Sequence, residues 1–508
     1  MPNLDRTNTD RVFWILFFAL SAFNLAAIAF SPLNLAPDES HYWEWSRRLD
    51  WSYYSKGPLV ALLIAASRKV FGDTEFGVRF PAFLLFTVFS LLYYLFVRRF
   101  FLPVHALLSW VALRSMLIFA QTGVVMTTDA PAALFWFLAL ASAYLAVVEE
   151  RREFWIPFGL FIGLGVSAKY TVAILFPSII ALLVFTPQLR THFRSLFFYG
   201  GVAAFLATLY PILKWNADHG WVNFQHNAGH LVQANASKIS PKFLPELLAG
   251  QLGLGGPIIF CALVYGIYRG WGLWRRGDIP AGLLLFSSLP LGALVCGLSL
   301  TKRVYANWPM PFYIGALLLF THLVSQRALG GERLRKLTVW GIILNFAITL
   351  AAHMPYMGYP LGIAGKILPT KKLVGWDRLG SYVADKMNAS LGKEDGMPFV
   401  LGDDYEVVSS IAFYSVPRPE VFCANTDGRR MNQYDVWGGL QDKKGQAALI
   451  VVKSPEKVEL LRKHFASVTP VDAPAELGID YSGSHLRDFY FFWGERYDGS
   501  VPVAPEKR

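Results

Sequence analysis

Cysteine is scarce in this chain. Of 508 residues three are cysteine: Cys261 and Cys296 lie in apolar runs and Cys423 stands alone in the polar C-terminal region. No disulfide framework is expected from such placing. Charge is scarce as well. Asp, Glu, Lys and Arg make up 16% of the chain, where a soluble globular protein carries about 25%. No GxGxxG follows a strand and no P-loop occurs. Gly253-Leu254-Gly255-Gly256 starts an apolar run instead, and reads as close helix packing. His219, His226 and His230 have no acid partner in a zinc-type spacing. No internal repeat of paired, broken halves, the mark of a transporter, is visible.

What the chain does have is apolar length. It is 54% hydrophobic, with a mean hydropathy of +0.37. A membrane span needs roughly 20 apolar residues. The candidates are 12–30, 80–97, 104–121, 130–147, 155–168, 170–186, 196–213, 250–268, 280–299, 309–325 and 337–354, about eleven under that criterion. The first run is too long for a signal-peptide core and is read as a retained anchor. The net charge of +11 would suggest nucleic acid in a soluble protein. Here the basic residues gather at the ends of apolar runs, so membrane topology accounts for them better.

The same basic residues orient the chain. Arg98-Arg99, Arg151-Arg152, Arg190 with Arg194, Arg269 with Arg275-Arg276, and Arg327 to Lys336 mark short connections expected on the cytoplasmic side. The N-terminus, with Arg6 and Arg11, joins them. Loops 31–79, 121–129, 214–249, 300–308 and everything after 355 then face outward. An odd number of spans puts the first loop and the C-terminal region on the same outer side. Within loop 31–79, Tyr42, Trp43, Trp45, Trp51, Tyr53 and Tyr54 form an aromatic side, and Val60 to Val70 is a short apolar stretch. Both read as interfacial helices on the membrane or as short helices packed on the spans. The expected domains are a membrane domain over 1–365, which includes the outer loop 31–79, and a C-terminal domain over 366–508. In the latter, Phe399 to Leu401, Ala448 to Val452 and Phe489 to Trp493 read as strands. Glu406 to Tyr414 and Pro455 to Phe465 read as helices, which together give a small α/β fold.

Four ionisable features fall on the outer side. They are the adjacent acids Asp38 and Glu39, Lys56 in Ser55-Lys56-Gly57-Pro58, Asp129 before Pro131, and Lys169 between two apolar runs. Each has a plain structural reading. Asp38-Glu39 suits the first turn of a helix, Lys56 a snorkelling lysine, Asp129 a helix cap, and Lys169 a group satisfying span-end carbonyls. Their shared sidedness favours function, since an ionisable group near membrane depth needs a reason to be there. Lysines suit a phosphate as point charges, and a carboxylate can take a proton from a hydroxyl. Lys302-Arg303-Val304-Tyr305 is a basic aromatic turn that suits either phosphate binding or anchoring of the next span. Arg114, inside a candidate span, is costly without a partner. Asp403-Asp404 alone is thin support for a metal.

Taken in order, several segments resemble the GT-C membrane glycosyltransferases. The resemblance is to the bacterial branch of the dolichyl-phosphate-mannose–protein mannosyltransferase superfamily, which includes the aminoarabinose lipid A transferases. Its carriers are Pro37-Asp38-Glu39 with Tyr42-Trp43-Glu44-Trp45-Ser46, Trp51-Ser52-Tyr53-Tyr54-Ser55-Lys56-Gly57-Pro58, and Phe71-Gly72-Asp73 with Val78-Arg79-Phe80-Pro81. Thr128-Asp129-Ala130-Pro131, Lys169-Tyr170-Thr171, Trp215-Asn216 with His219-Gly220-Trp221, and Ala306-Asn307-Trp308-Pro309 follow. Asp404-Tyr405, Phe413-Tyr414 and Asn432 to Trp437 extend it into the tail. Many relatives have Asp-His-Pro-Pro where this chain has Ser55-Lys56-Gly57-Pro58.

The resemblance implies a polytopic α-helical GT-C fold with a C-terminal soluble α/β domain. It implies an inverting transferase that moves a sugar from a polyprenyl-phosphate carrier to a lipid, glycan or protein acceptor on the outer membrane face. Asp38 would be the main catalytic carboxylate, supported by Glu39. Lys56, with Lys302 and Arg303, would face the carrier phosphate. Asp129, Lys169, Tyr53 and His41 would line the cavity. No metal ligand is assigned, although a divalent cation is compatible with the chemistry, and no nucleic acid partner is expected. A glycan ligase or polymerase using a diphosphate carrier, and a lipid or sugar transporter, are the alternatives.

Overall fold

The computed structural model describes residues 6–231, 239–329, 332–358, 369–390, 398–424, 432–472, 476–481 and 483–500. The chain divides into two compact units. The first is Met1–Ala29, Lys56–Val60 and Arg79–His353; the second is Phe30–Ser55, Ala61–Val78 and Met354–Arg508. The domain boundary expected near residue 365 lies outside the described residues.

Helices dominate the first three-quarters of the chain: α1 (Arg6–Ala29), α2 (Pro37–Arg47), α3 (Leu59–Phe71), α4 (Glu75–Phe100), α5 (Pro103–Ser115), α6 (Leu117–Thr122), α7 (Asp129–Val147), α8 (Trp155–Ala168) and α9 (Leu175–Phe185). They continue as α10 (Leu196–Asp218), α11 (Val222–Leu231), α12 (Phe243–Gly255), α13 (Pro257–Arg275), α14 (Ile279–Phe286), α15 (Leu289–Leu298), α16 (Met310–Ser325) and α17 (Glu332–His353). Among the described residues, six helices are long and apolar enough to cross a membrane, or up to eight if each of two bent pairs is one span. The sequence gives about eleven runs under the length criterion alone, and backbone breaks account for much of the difference. The run 104–121 is interrupted at Met116, whose extended backbone separates α5 from α6. Lys169 is extended too and ends α8 before a short 3-10 turn leads into α9. The run at 250–268 bends by 109° at Gly256, so the long helix begins at Pro257.

Close helix contact in the first unit is set by backbone as much as by side chains. A methyl group on Gly159 would lie 1.8 Å from the carbonyl oxygen of Gly201, and one on Gly201 would lie 2.1 Å from that of Trp155. α8 and α10 therefore touch backbone to backbone, a contact that small residues permit between helices in lipid.

The second unit is built on a six-stranded sheet in the order β2-β1-β3-β6-β4, with β5 also on β6. The strands are β1 (Phe399–Gly402), β2 (Val421–Cys423), β3 (Ala448–Val452), β4 (Phe465–Pro470), β5 (Glu476–Tyr481) and β6 (Ser484–Tyr497). β1 pairs in parallel with β2 and β3, and β6 pairs antiparallel with β3, β4 and β5. β1 and β3 are buried throughout, as continuous apolar strands in a covered parallel region should be. α18 (Trp376–Ala389) and α19 (Tyr405–Tyr414) complete the unit. The helix expected over 455–465 is shorter, a 3-10 turn followed by Val458–Arg462, and Phe465 starts β4 instead.

Most of the first outer loop, expected within the membrane domain, packs instead in this unit, as Phe30–Ser55 and Ala61–Val78. Asn34 accepts from the Trp376 amide at 2.9 Å and its own amide donates to the Leu373 carbonyl at 2.8 Å. Trp43 is fully buried. Its indole N–H donates to Asp73 at 2.8 Å, and Arg47, Arg68 and Arg418 lie over its ring at 5.0, 5.7 and 5.1 Å. Asp73 also receives Arg68 at 2.5 Å and Arg418 at 3.3 Å. Burial raises the Asp73 carboxyl, but Arg68, Trp43 and Arg418 outweigh it and hold its pKa below the ordinary value. The aromatic side of α2 therefore faces protein. Tyr42, Trp43, Trp45, Tyr53 and Tyr54 are buried, and Trp51 alone of that set is exposed.

Overpacking a tight core costs about 1–3 kcal/mol. Gly159→Val should therefore lower the melting temperature of the detergent-solubilised protein by several degrees. Gly272→Ala, whose added methyl meets no atom within 4 Å, should leave it unchanged.

Candidate active site

In the second unit, α2 starts at Pro37 and places Asp38 and Glu39 in its first turn. Glu39 is completely buried. Its Oε2 accepts from the Ala36 amide at 2.8 Å, so this acid closes the helix N-terminus. Asp38 is exposed and accepts from the Tyr405 hydroxyl at 3.1 Å. Burial, and then the Asp38 and Glu406 charges, push the Tyr405 phenol well above its ordinary pKa. Tyr405 therefore stays a donor. One acid of the pair is structural, and the other is presented outward with a phenol holding one of its oxygens.

Behind Asp38 lies a buried layer of rings. His41 sits 4.9 Å from Tyr405, 5.4 Å from Tyr434 and 5.1 Å from Trp45, ring centre to ring centre. Burial lowers its pKa to about 3, so it is neutral and offers no cation to a phosphate. Tyr53 stacks on Trp45 at 4.4 Å, and its hydroxyl donates to the carbonyls of Trp45 and Arg48, both at 3.1 Å. That hydroxyl fixes the chain after α2. Glu44 is also buried and accepts from the Tyr434 hydroxyl. Burial raises its pKa from 4.5 to about 7, against the pull of Tyr434, Arg48 and Arg47.

The first unit holds the other candidates. Asp129 opens α7 and Lys169 occupies the break after α8. Lys169 Nζ lies 2.5 Å from Asp129 Oδ1, with both side chains about nine-tenths buried. Asn307 Nδ2 donates to the other oxygen, Oδ2, at 2.8 Å. The turn that carries Asn307 is held in turn by Gln251, which donates to the Ala306 carbonyl at 2.9 Å and accepts from Tyr313 at 3.0 Å. Lys56 sits on the same side of this unit. Asn223 donates to its carbonyl at 3.4 Å. The neighbouring Gly57 presses on the end of α8, where an added methyl would lie 2.3 Å from the Ser167 carbonyl oxygen. Lys302 is buried, and its Nζ has no hydrogen-bond partner among the described residues. Burial lowers its pKa. Arg303 is exposed and pairs with Glu246. Arg114 is buried in α5 over the Phe86 ring at 4.8 Å. Among the described residues no group of three or more His, Cys, Asp or Glu could hold a metal ion.

Sequence reasoning identified Asp129 and Lys169 separately, and the structure joins them. Asn307 and Tyr405 lie within longer segments of the sequence. Their signal was a polar residue beside a span start and a tyrosine beside paired acids, both too common to single out.

The family described as dolichyl-phosphate-mannose-protein mannosyltransferase matches residues 55–215. The lipid A galacturonosyltransferase RgtD of Rhizobium johnstonii is 26% identical over 79% of this chain and 82% of its own length. The undecaprenyl phosphate-α-4-amino-4-deoxy-L-arabinose arabinosyl transferase of Pseudomonas aeruginosa is 27% identical over 68% of this chain and 65% of its own length. The chain thus spans about two-thirds of that second relative. The crystal structure of ArnT from Cupriavidus metallidurans superposes with a TM-score of 0.60 at 15% identity, over 98% of this chain and all of that one. The chain is a multi-pass membrane glycosyltransferase with the GT-C fold. Among such enzymes its sequence is similar to the lipid A galacturonosyltransferase and the aminoarabinose transferase named above.

Removing one partner of a buried ion pair costs about 3–5 kcal/mol, because the other charge is left unmatched. Lys169→Met should therefore destabilise the protein strongly. Asp129→Asn combined with Lys169→Met should recover most of the loss in a thermal unfolding assay while transfer activity stays absent. Glu44 gives a pH test. An acid with a raised folded pKa contributes stability that is full below about pH 4.5 and is lost as pH rises through about 7. Glu44→Gln should flatten that decline, worth on the order of 3 kcal/mol, in melting curves taken from pH 5 to 8.

Proposed function

We propose that the chain transfers a single sugar from a polyprenyl-phosphate carrier to lipid A or a related envelope acceptor, with inversion at the anomeric carbon. The carrying observation is the exposed Asp38 carboxylate held by Tyr405, in a chain similar along most of its length to a lipid A galacturonosyltransferase. An ArnT structure at the same level of likeness is bound to undecaprenyl phosphate, which supports a carrier of that kind here.

In this reading the acceptor oxygen attacks the anomeric carbon, and the bond to the carrier phosphate breaks on the opposite side. The electron pair leaves with the polyprenyl phosphate. Asp38 takes the acceptor's proton when the acceptor is a hydroxyl, and orients it when the acceptor is already an anion. Lys56 and Lys302 match the charge that builds on the departing phosphate, the kind of preorganised electrostatics that often dominates catalysis. Lys302 suits the role because it is buried and uncommitted among the described residues. Asp129, Lys169 and Asn307 form a neutralised scaffold in the same unit as these lysines. The basic short connections support a cytoplasmic N-terminus and an outward-facing second unit in a bacterial inner membrane. The second unit would then meet the acceptor from the outer side.

General acid–base groups contribute typically about 10²–10⁴-fold. Asp38→Asn should therefore remove transfer by at least about a hundredfold while the protein remains folded in the membrane. Lys56→Ala should raise the apparent KM for the carrier lipid. Tyr405→Phe should lower kcat by about tenfold, the worth of one hydrogen bond to a charged group, with carrier KM unchanged. Mass spectrometry of lipid A from cells with the wild type, the deletion and Asp38→Asn reads the result. A sugar increment lost in both altered strains supports the reading, and its mass distinguishes a hexuronic acid from an aminopentose. An increment retained with Asp38→Asn removes Asp38 from the chemistry.

A further inference from the structure

At the far end of the first unit from Asn307 lies a cavity of about 420 Å³ between α5, α13, α16 and α17. α16 starts just after Asn307 and its 16 residues rise about 24 Å, so the mouth of the cavity, at Arg327 just past the end of α16, lies about a helix length from Asn307. The walls are apolar, among them Ala112, Ile259, Ala262, Leu317, Phe320 and Ile342. Three hydroxyls reach the cavity and all are occupied. Thr338 donates to the Leu334 carbonyl at 2.9 Å. Thr321 donates to Ser109 at 2.8 Å, and Ser109 is bonded to Tyr93 at 2.7 Å. Nothing polar in the depth of the cavity calls for water, and a dry apolar cavity takes an apolar ligand. Its volume falls within the roughly 300–1,000 Å³ of ordinary ligand sites.

The mouth is different. His105 and Arg327 line it. His105 Nδ1 is buried and has no hydrogen-bond partner among the described residues. Arg327 is exposed and sits at φ 56°, in the left-handed region that a non-glycine residue rarely adopts. Its loop is pinned there by Arg269, which donates to the Ala328 carbonyl at 2.8 Å. The carboxylate next along, Asp278, is already held by His322 at 3.1 Å and by the Ala281 amide at 2.8 Å. The mouth therefore presents positive charge above an apolar hole, on the helix ends that carry the short basic connections.

We propose that this cavity binds one acyl chain of an anionic glycerophospholipid, with the lipid phosphate at Arg327 and His105. The occupant would be a structural lipid that fills the volume left between α13 and α17. It would be separate from the carrier lipid consumed in the reaction.

The test uses the full chain, purified and delipidated in detergent, and titrated with phosphatidylglycerol or phosphatidylcholine under native mass spectrometry. One phosphatidylglycerol per chain should survive dilution and raise the melting temperature, with phosphatidylcholine held more weakly. Arg327→Ala should weaken phosphatidylglycerol by about fivefold, the effect of roughly 1 kcal/mol for one arginine near a lipid surface. It should leave phosphatidylcholine unchanged. Ala262→Trp, which fills the cavity, should abolish both. If the tryptophan variant does not fold, Arg327→Ala decides alone, since that residue is exposed. Equal binding of the two lipids, or no effect of Arg327→Ala, overturns the proposal. Displacement of phosphatidylglycerol by stoichiometric undecaprenyl phosphate would also overturn it, assigning the cavity to the carrier.

Discussion

A carboxylate and an ammonium group at the edge of a lipid layer have to be closed on one another, and Asp129 and Lys169 are. Isolated charges there would be heavily penalised, and even a matched pair returns little net stability. What the pair provides is fixed geometry. It ties the start of α7 to the break after α8, and Asn307 ties the same carboxylate to the turn before α16. Three membrane segments meet at one point, and the loop carrying Lys56 rests beside them on the end of α8. The breaks in the helices make this possible. An unbroken helix through 155–186 would have carried Lys169 on a continuous face instead of in an extended residue.

The second unit uses the same logic with different chemistry. Trp43 and Asp73 gather arginines from α2, α3 and the chain after α19 into one cluster, part cation–π and part ion pair. Cation–π contacts strengthen as they are desolvated, so the burial of Trp43 matters as much as its neighbours. The outcome is a rigid seat for the first turn of α2, from which Asp38 projects. Tyr405 opens α19 shortly after β1, so the C-terminal end of an interior strand and the orientation of Asp38 are coupled through a single phenol.

Much of this architecture was legible in the residues. Apolar runs marked the long helices, and the two fully buried strands β1 and β3 stood out as short apolar stretches. Lys169 was visible as a lone cation between runs. Other features were hidden for physical reasons. The aromatic residues of α2 have a pattern suited equally to headgroups and to a protein neighbour, and burial decided for protein. β6 is long but mixes Arg487, Asp488 and Glu495 with aromatics, so only its apolar centre looked like a strand. The contact of Asn307 with Asp129 joins residues 178 positions apart, which no local pattern reports. Glu39 and Asp38 looked alike in sequence, and the start of α2 made one a cap and left the other outward.

The path of the chain also has a bearing on inheritance. The second unit is assembled from Phe30–Ser55, Ala61–Val78 and Met354–Arg508, with Lys56–Val60 returning to the first unit between the first two pieces. The tail is therefore not a detachable module. A recombination event that exchanged only the C-terminal region would separate Tyr405 from Asp38 and Arg418 from Trp43. Exchange that keeps these contacts must carry the first outer loop and the tail together.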